Sequence, residues 1–157
     1  MLADLLTERT VRVGVEARDW QEVVDIAGRL LLEDGSIEPS YIDAMREVIQ
    51  SLGPYVVIAP GVALLHGRPQ HGVKRICMSL VVLKTPVKFG HPENDPVTLA
   101  FALGGVDERS HLDALAQLAT LLSDEDAASR LRSAQTVEEV LEIIRSFDHA
   151  AGPDATT

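Results

Sequence analysis

Arg75-Ile76-Cys77-Met78-Ser79-Leu80-Val81-Val82-Leu83 is the stretch on which the fold turns. It is a continuous apolar run rich in β-branched residues, without the alternation of a half-exposed strand. A strand of this kind is buried on both faces, which requires helices on both sides of its sheet. Val97 to Leu103 is a second mostly apolar run, closed by Gly104-Gly105. Tyr55-Val56-Val57-Ile58-Ala59 is a third, interrupted by Pro60-Gly61 and resumed by Val62-Ala63-Leu64-Leu65 up to His66. Val11, Val13 and Val15 alternate with polar or small residues and give one more short strand. Val87-Lys88-Phe89 is expected to pair back on the first run across Lys84-Thr85-Pro86.

Helical periodicity lies before and after this block. Asp19 and Glu22 form a capping-box-like start for a helix carrying Val23, Ala27, Leu30 and Leu31 on one face, with Gly35 as its stop. Pro39 suits the first turn of a second helix, whose face is Ile42, Met45, Val48, Ile49 and Leu52. Gly53-Pro54 ends it. In the last third, Ser110 is the expected cap of a helix with Leu112, Leu115, Leu118, Ala119 and Leu122. Asp124 caps a short helix through Leu131. Thr136 and Glu139 form a box before Val140, Leu141, Ile144 and Phe147. The order predicts an α/β (α+β) fold: a three-layer sandwich, with a mixed, roughly five-stranded sheet and helices on both faces.

Composition narrows the function. The chain has 157 residues, enough for one core without staples. Aromatics are 4%, so that core is built from Leu, Val, Ile and Ala. The formal net charge of -10 repels phosphate backbones and argues against a nucleic-acid partner. Cys77 is the single cysteine, which rules out an internal disulfide, and its apolar surroundings predict a buried, inert thiol. No apolar stretch is long enough to span a bilayer, and the N-terminus lacks the basic lead and apolar run of a signal peptide. A cytoplasmic protein without direct membrane insertion is expected.

The segment with the most unusual chemistry is Gly53-Pro54-Tyr55-Val56-Val57-Ile58-Ala59-Pro60-Gly61-Val62-Ala63-Leu64-Leu65-His66-Gly67-Arg68-Pro69. An imidazole ends a long apolar stretch. Gly67 permits close approach of another molecule, and Arg68 offers a fork of donors suited to phosphate oxygens. Neutral imidazole is a nucleophile near neutral pH. By residue type alone, a histidine that merely ends a strand at a polar edge fits as well.

The segment resembles the active-site region of the mannitol/fructose class of phosphotransferase-system enzyme IIA domains, and is most similar to the ascorbate-specific branch. That branch carries a Gly-Pro-Tyr lead, an Ile-Ala-Pro-Gly turn and an Ala-x-Pro-His-Gly/Ala-Arg-Pro core. The matches here are Gly53, Pro54, Tyr55, Ile58, Ala59, Pro60, Gly61, Ala63, His66, Gly67, Arg68 and Pro69, with Gly72-Val73-Lys74 and Asn94-Asp95-Pro96-Val97 beyond. The likeness runs from about Leu5 to Phe147, so residues 1–148 are expected to form one phosphoryl-carrier domain and 149–157 a flexible C-terminal tail. The resemblance implies that His66 accepts a phosphoryl group from the phosphocarrier HPr and passes it to an enzyme IIB cysteine. It implies uptake of L-ascorbate or a related sugar acid, a membrane permease reached only indirectly, and no cofactor.

The resemblance also implies a second active-site histidine at the turn entering a helix after the last long strand, which is His111. A surface histidine in a first helical turn is the competing reading. Gly67, Arg68 and Ser110 are the expected phosphate-binding residues. The arginine some members draw from the preceding helix is replaced here by Gln50, and the proline usual before the histidine is Leu65. That loss leaves two alternatives open: a phosphorylation-dependent regulatory binding module, and a scaffold that keeps the fold without being phosphorylated. His66 and His71 share a loop, but with no further ligand cluster no metal is expected. His91 is expected to serve its loop, and Gly104-Gly105 is too short for a nucleotide loop.

Overall fold

Strand residues sort by parity between two cores, and this sorting gives the computed structural model, which describes residues 1–150, its three layers. The strands are β1 (Val11–Val15), β2 (Val57–Ala59), β3 (Val62–His66), β4 (Cys77–Val87) and β5 (Val97–Gly104). They form a 5-stranded sheet in the order β1-β4-β5-β3-β2. β1 runs parallel to β4 and β3 parallel to β5; the β4–β5 and β2–β3 pairs are antiparallel. The helices are α1 (Leu2–Leu5), α2 (Trp20–Glu33), α3 (Pro39–Leu52), α4 (Glu108–Ser123), α5 (Glu125–Ser133) and α6 (Val137–Ala150).

Val62, Leu64, Leu99, Phe101 and Leu103 face the layer of α1, α4, α5 and α6. Ala63, Leu65, Ala100 and Ala102 face α2 and α3. Fully burying each large side chain here contributes about 1.5–3 kcal/mol relative to leaving it in water. The alanines on the second face let α2 lie close to the sheet, where the Ser79 hydroxyl donates to the Ala27 carbonyl at 2.8 Å. α2 and α3 also pack closely on each other: a Cβ on Gly28 would fall 2.7 Å from Ile42 Cγ1.

The expected architecture is the observed one, with local corrections. β4 does not turn back at Lys84-Thr85-Pro86; it runs on to Val87, which pairs with Val97 of β5. The register shift between Val82 and Val87 absorbs Pro86, which has no N–H to give a ladder. α1 was not foreseen. It holds because Leu2 and Leu6 are buried and the Asp148 carboxylate accepts the Ala3 N–H at 2.7 Å. Asp19 caps α2 by accepting from Glu22 N–H at 2.9 Å, but Glu22 reaches back to the Arg18 N–H rather than completing a box. Leu52 and Leu112, expected on inner faces, are exposed, because α3 buries Tyr41, Met45 and Ile49 and α4 buries Ala114, Leu118 and Leu121. Of the expected tail, His149 and Ala150 end α6, and residues 151–157 lie outside the described residues.

Candidate functional site

His66 is the last residue of β3 and pairs in register with Leu103 of β5. Its parity is that of Val62 and Leu64, so the ring leaves the sheet on the α4 side. The ring is half-buried, and Nδ1 lies 3.0 Å from the Leu64 carbonyl oxygen. A carbonyl only accepts, so this bond requires the proton on Nδ1 and leaves the lone pair of the neutral ring on Nε2. Leu65 is fully buried and pairs with Ala102, so the strand stays regular up to the histidine.

β5 delivers the second histidine. Beyond Gly104, the chain passes Gly105 and Val106 and enters α4 through Asp107. Asp107, not Ser110, is the cap: its carboxylate accepts the Ser110 N–H at 2.7 Å. This bond and the one from the Ser110 hydroxyl hold the Asp107 carboxyl below its ordinary pKa. Asp-x-x-Ser could have been read as a cap as readily as Ser110 alone. His111 is half-buried, and its ring rests on Gly105, where a Cβ would stand 2.9 Å from His111 Cβ and 3.1 Å from Nδ1. Burial lowers the pKa of His111, and the neighbouring His66 lowers it further. The fold therefore brings the two imidazoles together, with His111 biased toward its neutral form.

The Gly-Gly pair that is too short for a nucleotide is explained by space. A Cβ on Gly104 would fall 2.8 Å from Cys77 Sγ, and one on Gly105 would strike His111. Cys77 itself is buried against the Gly104 carbonyl, and burial pushes its thiol up to about 12.

Behind His66 stands a residue that sequence reasoning overlooked. Tyr41 of α3 is 1% exposed. Its hydroxyl accepts the Gly67 N–H at 2.9 Å and donates to the Leu103 carbonyl at 2.6 Å. Its position one turn before Met45 and two before Ile49 was the available signal. Gly67 packs on this residue: a Cβ there would lie 3.1 Å from Ala44 Cβ and 3.2 Å from Tyr41 Cε1.

The remaining candidates are peripheral to this geometry. Arg68 is exposed and opens a single 3₁₀ turn, Pro69–His71. Gln50 is exposed on α3, and Arg46, one turn earlier, is committed to Asp25 and Asp43 at 3.5 and 2.9 Å. His71 is exposed. His91 Nδ1 accepts the N–H groups of Glu93 and Asn94 at 3.1 and 2.9 Å, so that ring braces its own loop.

Residues 4–147 match the family model for the phosphoenolpyruvate-dependent sugar phosphotransferase system, EIIA 2. The chain belongs to the enzyme IIA family. It is 41% identical over 152 residues to the ascorbate-specific PTS system EIIA component of Escherichia coli strain K12, covering 96% of this chain and 99% of that one. Its structure is similar to the solution structure of the mannitol-specific cryptic phosphotransferase enzyme IIA of E. coli, with TM-score 0.84, 34% identity, and 92% and 98% of the two chains covered. It is also similar to the enzyme IIA of E. coli solved in complex with phosphorylated enzyme IIB of the mannitol system, with TM-score 0.79, 25% identity, and 90% and 99% covered. Enzyme IIA domains relay a phosphoryl group on histidine between HPr and enzyme IIB, so this enzyme IIA is a phosphoryl carrier of that class. Among its described residues no helix is long and apolar enough to cross a membrane.

Proposed function

We propose that His66 carries the phosphoryl group on Nε2, and that this enzyme IIA serves uptake of L-ascorbate or a related sugar acid. The observation behind the first part is the Nδ1 bond to the Leu64 carbonyl, which leaves the free lone pair on Nε2. Nε2 attacks the phosphorus of phospho-HPr. The new P–N bond forms as the bond to the HPr imidazole breaks, and that imidazole leaves with the electron pair. The His66 ring gains positive charge, which the Leu64 carbonyl stabilises while Nδ1 keeps its proton. In the second half-reaction an enzyme IIB thiolate takes the group, forming P–S as P–Nε2 breaks. Positioning and charge stabilisation do most of the work in such transfers.

His111 donates an N–H to a phosphoryl oxygen. Arg68 supplies mobile positive charge from the exposed loop, in place of the helix arginine that Gln50 lacks. Gly67 allows close approach of the partner. The Ser110 N–H is taken by Asp107, so its part falls to the hydroxyl, which lies 3.3 Å from the Asp107 carbonyl. Val106 and Leu112, 45% and 55% exposed, flank this turn and give a docking partner apolar contact. Glu38, Asp43 and Glu47 line a groove against the Pro69–His71 turn and favour a basic partner face. The ascorbate reading is supported by the relative named above.

The test uses radiolabelled phosphoenolpyruvate with enzyme I and HPr. The wild type should gain an acid-labile, base-stable adduct, and His66→Ala should gain none while keeping its circular dichroism. Label retained by His66→Ala would overturn the assignment. Onward transfer should be faster to an ascorbate-type enzyme IIB than to a mannitol-type one; equal rates would remove the sugar assignment. A label that no enzyme IIB discharges would favour the regulatory module instead.

A further inference from the structure

One hydroxyl joins the end of β3, which carries His66, to the end of β5, which leads to His111. β3 and β5 pair in register as far as His66 and Leu103. The next ladder bond would run from the Gly67 N–H to the Leu103 carbonyl. The Tyr41 hydroxyl stands in that place, accepting from Gly67 at 2.9 Å and donating to Leu103 at 2.6 Å. A second contact, 3.3 Å to the Gly67 carbonyl, lies on the same residue. Gly67 follows His66 directly, and Leu103 leads through Gly104-Gly105 into the turn on which His111 rests.

We infer that Tyr41 is a positioning residue for phosphoryl transfer: its hydroxyl, spliced between the Gly67 N–H and the Leu103 carbonyl, sets the orientation of the His66 ring relative to His111. The inference rests on the reading of His66 as the acceptor. Three features suit Tyr41 to the task. Its ring packs closely against Gly67 and is buried in the core. Its proton is secure, since burial pushes the phenol up to about 12. Both backbone groups it serves are polar groups at the end of the β3–β5 ladder, and the hydroxyl gives each of them a partner.

The test is Tyr41→Phe, which keeps the ring and removes only the hydroxyl. Ile144→Val, in the core on the other face of the sheet from Tyr41, serves as a control that loses stability but leaves the Tyr41 hydroxyl and its two partners in place. Single-turnover phosphorylation of Tyr41→Phe at saturating HPr should slow by about tenfold or more, with KM for HPr held within about twofold, because misplacement acts on the reacting geometry rather than on docking. Ile144→Val should keep the wild-type rate. A wild-type rate in Tyr41→Phe, or an equal loss in both variants, would overturn the inference. A second readout needs no phosphoryl group. The ¹⁵N shifts of the His66 ring should report the Nδ1–H tautomer in the wild type and Ile144→Val, and a mixture in Tyr41→Phe. An unchanged tautomer in Tyr41→Phe would also overturn it. If His66 failed to accept phosphate at all, the wild type would show it, and the ring shifts would still decide the role of Tyr41.

Discussion

Replacing Gly105 with alanine puts a methyl group where the structure has His111. The new Cβ would lie 2.9 Å from His111 Cβ, 3.1 Å from Nδ1 and 3.3 Å from Cγ. Carbon atoms rest at roughly 3.5–4.0 Å, so the first overlap is at least about 0.6 Å. The atom struck first is Cβ, which rides on the α4 backbone, so rotation of the ring alone does not relieve the clash. The entry of α4 must shift, or the strand end must. Overpacking of this kind costs about 1–3 kcal/mol, offset by about 0.4–1 kcal/mol because alanine narrows the unfolded ensemble. The net loss, at most about 2.6 kcal/mol, converts to a fall in melting temperature of up to about 10 °C. The transfer rate should suffer more: a displacement approaching 1 Å in a positioned group costs up to about 100-fold, so a loss of about tenfold is expected for half of that. Rapid-quench phosphorylation from phospho-HPr measures the rate, and calorimetry measures stability. The decisive step is a double-mutant cycle with His111→Ala. If Gly105→Ala acts by moving His111, it has little left to do once the imidazole is gone. Fully additive losses would refute the reasoning and place the effect elsewhere in the turn.

Further outcomes follow from the same geometry. His111 has its pKa lowered by burial and by His66, so in the unphosphorylated protein its neutral form persists to lower pH than in an open peptide, and stability falls as the pH drops through that range. On the proposed phosphorylation of His66, a dianion comes to stand beside His111, and the pKa of His111 should rise; an NMR titration in which it stays put would separate the two rings. The Cys77 thiol, pushed up to about 12 by burial, should resist a disulfide reagent at mildly alkaline pH and react only on unfolding. Prompt reaction of the native protein would show that β4 opens locally.

Much of this fold was legible because burial on two faces leaves a mark that burial on one does not. The apolar runs ending at Leu83, Leu103 and Leu65 demanded helices on both sides, and the structure has α2 and α3 on one side and α1, α4, α5 and α6 on the other. His66 stood out for the complementary reason, as a polar residue closing a strand that is buried up to Leu65. What escaped was long-range. The place of Val87 depends on the partner that β5 offers it, and Pro86 beside it imitates a turn. α1 is too short for periodicity to reveal; a carboxylate 145 positions away anchors it. Ser110 and Asp107 are both capping residues, and only geometry shows which carboxylate or hydroxyl meets the free N–H.

Tyr41 and Gly105 belong to a class that pattern reading misses for a physical reason. Neither carries chemistry of its own in this site. Each acts by where it lets another group stand, Tyr41 by joining two strand ends and Gly105 by being absent under a ring. Hydrophobic periodicity counts a phenol as one more core residue and a glycine as a break, so both are read as scaffold. The site is therefore specified twice over: by imidazoles that local sequence displays, and by supports whose meaning appears only when β3 and β5 are laid side by side. That division accounts for Leu65 as well. With Ala102 beside it in the ladder and the phenol fixing the residue after His66, the approach to the histidine is held by tertiary contacts on both sides, and a proline is not the only way to hold it.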